Sequence, residues 1–320
     1  MPRLSLLLHA VATAASSSNR TVSWWLADYN AAAIPENTAF VNSPAIARAL
    51  SSTLHCCDGP RVEANGTLVR STAQEDLFAS IVKAERAATS GAMRTAPILF
   101  SLSPDPAAIE SGAAIIHAIA GLVAIATRIG CDGWVVDYEP HANTTEAHAV
   151  ALAAFVAALG DALRLEGRIV ALCVSDWGVL NFYAELSASR ADLYVSMSNT
   201  YGGKGVVYEI EAKLDVVRML ATFPAASVVV GIGTVAPASC NCVFGNTGNC
   251  TSNYYWTEST LTAFVQWLEA QGVGALAVWR ADIYPQYCAT GGAPRGVSAW
   301  MAPIFAAFIE TGRVPTTIKV

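Results

Sequence analysis

Two carboxylates, spaced two residues apart in an otherwise apolar stretch, are the groups in this chain best placed to do chemistry. The stretch reads Asp132-Gly133-Trp134-Val135-Val136-Asp137-Tyr138-Glu139-Pro140. On a strand, alternate side chains share a face, so Val135, Asp137 and Glu139 point the same way. Two acids on an apolar face cost free energy unless they are paired or put to work. Held close together they repel, which raises the pKa of one and makes it a proton donor near neutrality. The competing reading is that both acids cap the strand and hold basic neighbours. Few lysines or arginines border the expected strand ends, Arg280 being the clearest.

The elements that position these acids follow a recurring pattern: a short β-rich run, then a longer helical stretch. Strands are expected at Thr21 to Ala27, Leu54 to Cys57, Pro97 to Leu102, Cys131 to Tyr138, Ile169 to Ser175, Leu193 to Ser198, Ser227 to Ile232 and Gly274 to Trp279. Ser43-Pro44 opens a helix, with a capping serine and proline in its first turn. Further helices are expected at Glu75 to Ser90, Ala107 to Ile129 as one long element, Glu146 to Glu166, Leu180 to Leu186, Tyr208 to Phe223, Thr257 to Gln271 and Val297 to Thr311. The strands are continuous apolar runs, as in parallel sheets buried on both faces. Eight such units predict an α/β protein with a closed (β/α)8 TIM barrel. An open doubly wound sheet is the alternative. It would need a glycine-rich phosphate turn after the first strand, and Trp24-Trp25-Leu26-Ala27-Asp28-Tyr29 supplies none. In a barrel the active site forms at the C-terminal strand ends, where Asp137 and Glu139 fall.

At this point the chain resembles a known family. The segment Asp132 to Glu139 resembles the signature of the family 18 glycoside hydrolases (the chitinase, chitobiase and endo-β-N-acetylglucosaminidase type), Asp-x-x-Asp-x-Asp-x-Glu on the fourth barrel strand. Asp132, Gly133, Asp137 and Glu139 match it. More weakly, Ser101-Leu102-Ser103 lies where the family has a serine-x-glycine-glycine turn, Met197-Ser198-Asn199 where it has methionine-x-tyrosine, and Trp279 where it has a platform tryptophan. The resemblance implies hydrolysis of β-1,4-linked N-acetylglucosamine, in chitooligosaccharides or the chitobiose core of N-glycans, with retention. Glu139 would be the general acid. Asp137 would hold the 2-acetamido group, whose carbonyl oxygen attacks the anomeric carbon, making the mechanism substrate-assisted. Trp279 would form the floor under that sugar, and Met197, Asn199, Tyr201 and Ser101 would line the subsite. Tyr29 and Trp177 follow strand ends and are candidates for stacking on sugar faces, as are Tyr254, Tyr255 and Trp256. No metal or other cofactor is implied.

Three positions depart from the family. Val135 replaces the central aspartate, leaving Ser101 and Ser103 as candidates to support Asp137. Asn199 replaces the strand-six tyrosine, and the double glycine after Ser101 is missing. These departures keep a second reading open: an inactive or weakly active, lectin-like relative that binds sugar. A third is a barrel hydrolase of another family pairing Glu139 with Asp137 or Asp176, with Asp282 also to be watched.

Composition and leader motifs complete the expectations. Among 320 residues, 14% are charged and the net charge is −6. No basic patch points to nucleic acid. Arg3, the apolar Leu4 to Ala15 and Ala12-Thr13-Ala14 read as a signal peptide over residues 1–15, leaving 16–320 as one domain. The apolar run Ala113 to Thr127 reads as a buried barrel helix, so no membrane span is expected after signal removal. Eight cysteines and four N-glycosylation sequons, at Asn19, Asn65, Asn143 and Asn249, fit the secretory pathway and an extracellular or luminal (lysosomal or vacuolar) monomer. Disulfides would staple the loop holding Cys240, Cys242 and Cys250, whereas Cys131 and Cys173 read as buried thiols. The expected partner is an N-acetylglucosamine-containing oligosaccharide or glycoprotein.

Overall fold

Eight parallel strands close into a ring. They are β1 (Thr21–Ala27), β2 (Ser52–Cys56), β5 (Ile98–Pro104), β6 (Gly133–Val136), β7 (Ile169–Val174), β8 (Leu193–Ser196), β9 (Val228–Gly233) and β10 (Ala275–Trp279). Neighbours pair in chain order. β10 returns to β1, with Thr21 opposite Ala275, and β2 pairs β5, with Leu54 opposite Leu99. The architecture is a (β/α)8 barrel, as the eight-fold pattern predicts. The computed structural model describes residues 20–27, 33–56, 59–87, 97–139, 145–197, 208–233, 258–279 and 296–311.

Alternation along the strands divides two shells of side chains. Trp24 faces out, edge-on to Phe40 and Phe305 with centroids 5.2 and 5.7 Å away, and its indole donates to Ala49 O at 2.8 Å. Trp134 likewise faces out and donates to Leu122 O at 3.2 Å. The helices that cover this shell are α1 (Ala33–Val41), α3 (Thr72–Arg86), α5 (Gly112–Ile129), α6 (Glu146–Leu165), α8 (Tyr208–Thr222), α9 (Glu258–Ala270) and α10 (Gly296–Thr311), with the short α2 (Pro44–Ala47), α4 (Pro106–Glu110) and α7 (Tyr183–Leu186). In α6 the buried Leu152, Phe155, Val156, Leu159 and Leu163 follow the 3–4-residue spacing of one helix face. Both α5 and α6 are long and apolar enough to cross a membrane. Each instead turns a face inward, α5 through Ala118, Leu122, Ile125 and Ile129.

The structure corrects two sequence expectations and adds one element. The single helix over Ala107 to Ile129 is two, α4 and α5, broken at Ser111. Ser111 is extended (φ −102°, ψ 111°), and its hydroxyl accepts from Ala114 N, so it caps the second helix at the cost of continuing the first. Between β1 and β2 the principal helix, α1, precedes Ser43, and Ser43-Pro44 opens only four residues. A hairpin of β3 (Arg61–Val62) and β4 (Leu68–Val69) extends the sheet beside the end of β5. Two-residue strands are too short to show any periodicity.

The two ends of the barrel are built differently. At the N-terminal end, Asp132 precedes β6 and accepts from Ile98 N at 2.8 Å while pairing with Arg86. Asp192 does the same before β8, accepting from Val170 N at 2.9 Å and from Arg164 Nε at 3.1 Å. Each carboxylate satisfies a strand amide at the barrel floor, so Asp132 is a structural residue. Gly133 follows it with φ +149°, and a Cβ there would lie 1.8 Å from Ile169 O. Only glycine lets β6 pass β7 at that point. Gly133→Ala is expected to destabilise the fold by more than about 2 kcal/mol. Chemical denaturation of the two proteins side by side checks this, and an unchanged midpoint would contradict the packing described.

Candidate active site

β6 delivers its acids at the opposite, C-terminal end. Backbone pairing continues past the strand proper, Asp137 N donating to Leu102 O at 2.9 Å. Tyr138 is buried on the outer side, where burial first, then the charges of Glu110 and Asp105, raise its phenol to about 12. Alternation therefore turns Asp137 and Glu139 to the inner side, above the fully buried Val135. The two carboxyls share a side-chain hydrogen bond. Burial, then the Glu139 charge, then that hydrogen bond raise Asp137 from 3.8 to about 7. Asp137 is half-buried and Glu139 exposed, yet Asp137 Oδ1 is shielded from solvent and has no hydrogen-bond partner.

The neighbouring strands supply the surroundings. Register sets Val135 beside Ser101 on β5 and Ala171 on β7. One inward position further along β7 lies Cys173, a free thiol with no exposed surface. Its pKa is pushed well above the ordinary value by burial, then by the charges of Asp137 and Glu139, which places it next to the pair. Cys131 is also a free buried thiol, raised to about 12 chiefly by burial, at the start of the β6 segment. Both match the expectation of buried thiols, and Cys173 gains a place in the site that its sequence context did not suggest.

Of the expected sugar-contacting residues, Ser101 is buried on β5 and Met197 is buried at the end of β8, its amide donating to Val174 O at 2.8 Å. Trp279 is half-buried at the end of β10. Trp177, half-buried, packs against the core where β7 gives way to the 3-10 turn Gly178–Asn181. Ser103 is exposed and its register partner is Arg61 of the added hairpin. Trp25 was missed. Its ring meets Trp279 edge to face, with centroids 5.4 Å apart at 66°. The signal was present in Trp24-Trp25, since adjacent strand residues face opposite shells and the outward Trp24 leaves Trp25 inside. Tyr29, Asn199, Tyr201, Tyr254, Tyr255, Trp256, Arg280 and Asp282 lie outside the described residues, as do the leader and Cys240, Cys242, Cys250 and Cys288. Among the described residues no three His, Cys, Asp or Glu side chains converge to hold a metal ion.

No protein-family model and no curated protein sequence matches the chain. Solved structures do. The second catalytic domain of the Group II chitinase of Ostrinia furnacalis is 13% identical with a TM-score of 0.64, covering 93% of this chain and 98% of its own. The GH18 chitinase of Cycas revoluta, solved with (GlcNAc)3, is 13% identical with a TM-score of 0.63, covering 89% and 98%. The spore cortex-lytic enzyme SleL of Bacillus megaterium is 13% identical with a TM-score of 0.57, covering 83% and 72%. The fold is that of chitinases of known structure. At these identities the likeness extends to the barrel and not to its chemistry, which rests on the side chains at the strand ends.

The raised Asp137 has a consequence for stability. Its folded pKa lies above its unfolded value, so between 3.8 and about 7 the folded chain holds a proton that the unfolded chain has lost. That contribution is full at low pH and is lost as pH rises through about 7. Asp137→Asn is expected to lose less stability than wild type between about pH 5 and about pH 8, a difference that urea denaturation at the two pH values reads directly. Parallel pH dependence in both proteins would remove Asp137 as the titrating group.

Proposed function

We propose that this chain is a family 18-type glycoside hydrolase acting on β-1,4-linked N-acetylglucosamine, in chitooligosaccharides or the chitobiose core of N-glycans. The observation that carries the reading is the Asp137–Glu139 pair: two hydrogen-bonded carboxyls at the C-terminal end of β6, one of them pushed to about 7 with a shielded oxygen lacking a partner. The (GlcNAc)3 bound by the Cycas revoluta relative supports a sugar of this class.

The residues divide the work as follows. Glu139, exposed at the mouth, donates its proton to the glycosidic oxygen of the departing sugar and then takes one from water. Asp137 Oδ1 accepts the acetamido N–H, turning the acetamido carbonyl oxygen toward the anomeric carbon. The resulting oxazolinium is positive, and the shielded Asp137 carboxylate stabilises it more than an exposed one would. The hydrogen bond within the pair lets one proton serve both acids in turn. Trp279, braced edge-on by Trp25, offers its face as the floor of that subsite. Asn199 and Tyr201 complete the subsite in this reading.

Val135 favours a second reading, a lectin-like barrel that binds the sugar without cleaving it. It is fully buried beneath Asp137 and offers no hydrogen bond. One experiment separates the two: turnover and binding of fluorogenic N-acetylglucosamine oligosaccharides and an N-glycan substrate by wild type and Glu139→Gln. The hydrolase reading expects kcat to fall roughly 10²–10⁴-fold in the variant with sugar binding retained. Saturable binding by wild type without turnover would establish the lectin.

The same reading places the protein in the secretory pathway, extracellular or luminal, with a cleaved leader, disulfides and N-glycans. Asn65 supports it: in the sequon Asn65-Gly66-Thr67, at the turn of the β3–β4 hairpin, Asn65 and Thr67 are exposed, and Thr67 N donates to Asn65 Oδ1 at 2.9 Å. Protein from a secreting eukaryotic host is expected to lose mass on treatment with an N-glycan-releasing amidase, and Asn65→Gln to lose part of that change. Equal mass changes in both proteins would leave Asn65 unmodified.

A further inference from the structure

Helix α8 carries apolar residues on both of its faces. Ala212, Asp215, Val216 and Met219 are buried against the barrel, with Asp215 satisfied by Tyr183 and by Ser196 Oγ at 3.1 Å. On the opposite side Ile210, Leu214 and Val217 are 59%, 61% and 49% exposed. Their spacing of four and three residues makes one continuous stripe, which the exposed Ala221 prolongs. A surface helix ordinarily turns polar residues that way, and a contiguous apolar strip toward solvent marks a contact surface.

Two further features say what covers it. One flank of the stripe bears Glu211 and Arg218, seven residues apart and therefore on the same side of the helix. Arg218 is held in place, its guanidinium 4.6 Å over the Tyr183 ring and donating to Asn181 O at 3.3 Å. Beyond that flank lies a groove of about 350 Å³ whose lining includes Phe182, Tyr183, Glu185, Ala221 and Thr222.

We propose that a second copy of this chain covers the stripe, α8 packing antiparallel on α8 about a two-fold axis. In a two-fold contact residue i meets j while j meets i. An axis passing midway between positions 214 and 215 brings the two Leu214 side chains together and sets Glu211 of each copy beside Arg218 of the other. It also carries Ile210 of the second copy toward the groove. A lipid surface suits the stripe less well, because the chain's net charge of −6 opposes an anionic membrane. The protein is then a homodimer rather than the monomer expected from sequence.

Sedimentation velocity of the full chain over a concentration series tests this. Wild type is expected to dimerise reversibly. Leu214→Glu, which places two carboxylates at the axis, is expected to weaken the dimer by roughly 100-fold or more with an unchanged melting temperature, because the side chain is exposed. Val217→Glu is the second such variant. Glu211→Arg and Arg218→Glu should each weaken the dimer roughly 10-fold, and the double exchange should restore it. A wild type that stays monomeric up to its solubility limit overturns the proposal. So does a dimer that survives both glutamate variants, or vesicle binding by monomeric wild type that Leu214→Glu abolishes.

Discussion

Closure of the strand ring is the constraint on which everything else rests. When β2 pairs with β5 and β10 with β1, each strand of the ring has a neighbour on both sides and no sheet edge is left within it. Closure also forces alternate side chains into a small interior. The inward positions accordingly hold many small residues, Ser23, Ser52, Ser101, Ala171, Gly231 and Ala277, while the large Trp24, Phe100, Trp134 and Tyr194 go outward under the helices. The ring thereby gives one chemically distinct end to each strand, and residues far apart in sequence meet there.

The barrel's two ends use the same residue type for opposite ends. At the floor, Asp132 and Asp192 accept strand amides and arginine N–H groups, so their charges are matched. At the mouth, Asp137 has a carboxyl neighbour, an apolar valine below and an oxygen without a partner. Matched carboxylates stabilise; an unmatched one is an expensive arrangement that persists where it serves binding or catalysis. That contrast, within a single eight-residue segment, separates the structural half of the motif from its chemical half.

The outer shell shows the same economy with buried polar groups. Glu85 on α3 reaches β2, where it accepts from Thr53 Oγ1 at 2.7 Å and contacts His55 Nε2 at 3.1 Å. Asp215 on α8 likewise receives Tyr183 and Ser196. Each cluster ties a helix to the strand beneath it. Because apolar contacts are non-directional, such polar ties add a specific register to the packing of helix on strand.

The strands were legible in the sequence because each is an apolar run bounded by turns, and burial on both faces leaves that pattern in composition alone. β1 runs over Thr21 to Ala27 as read, and the ends of α6 and α9 fall within a residue or two of expectation. Asp137 and Glu139 were legible too, since two acids in an apolar run conflict with local burial. What lay beyond sequence were contacts between strands and details of a few residues. The break at Ser111 turns on one hydroxyl capping one amide, and the β3–β4 hairpin on pairs too short to show a period. Cys173 and Trp25 became part of the site only when register set β7 beside β6 and β10 beside β1. Local residue order carries the period and burial of each element, whereas the neighbours across the ring, and with them the raised acid at Asp137, exist only once closure has brought distant strands together.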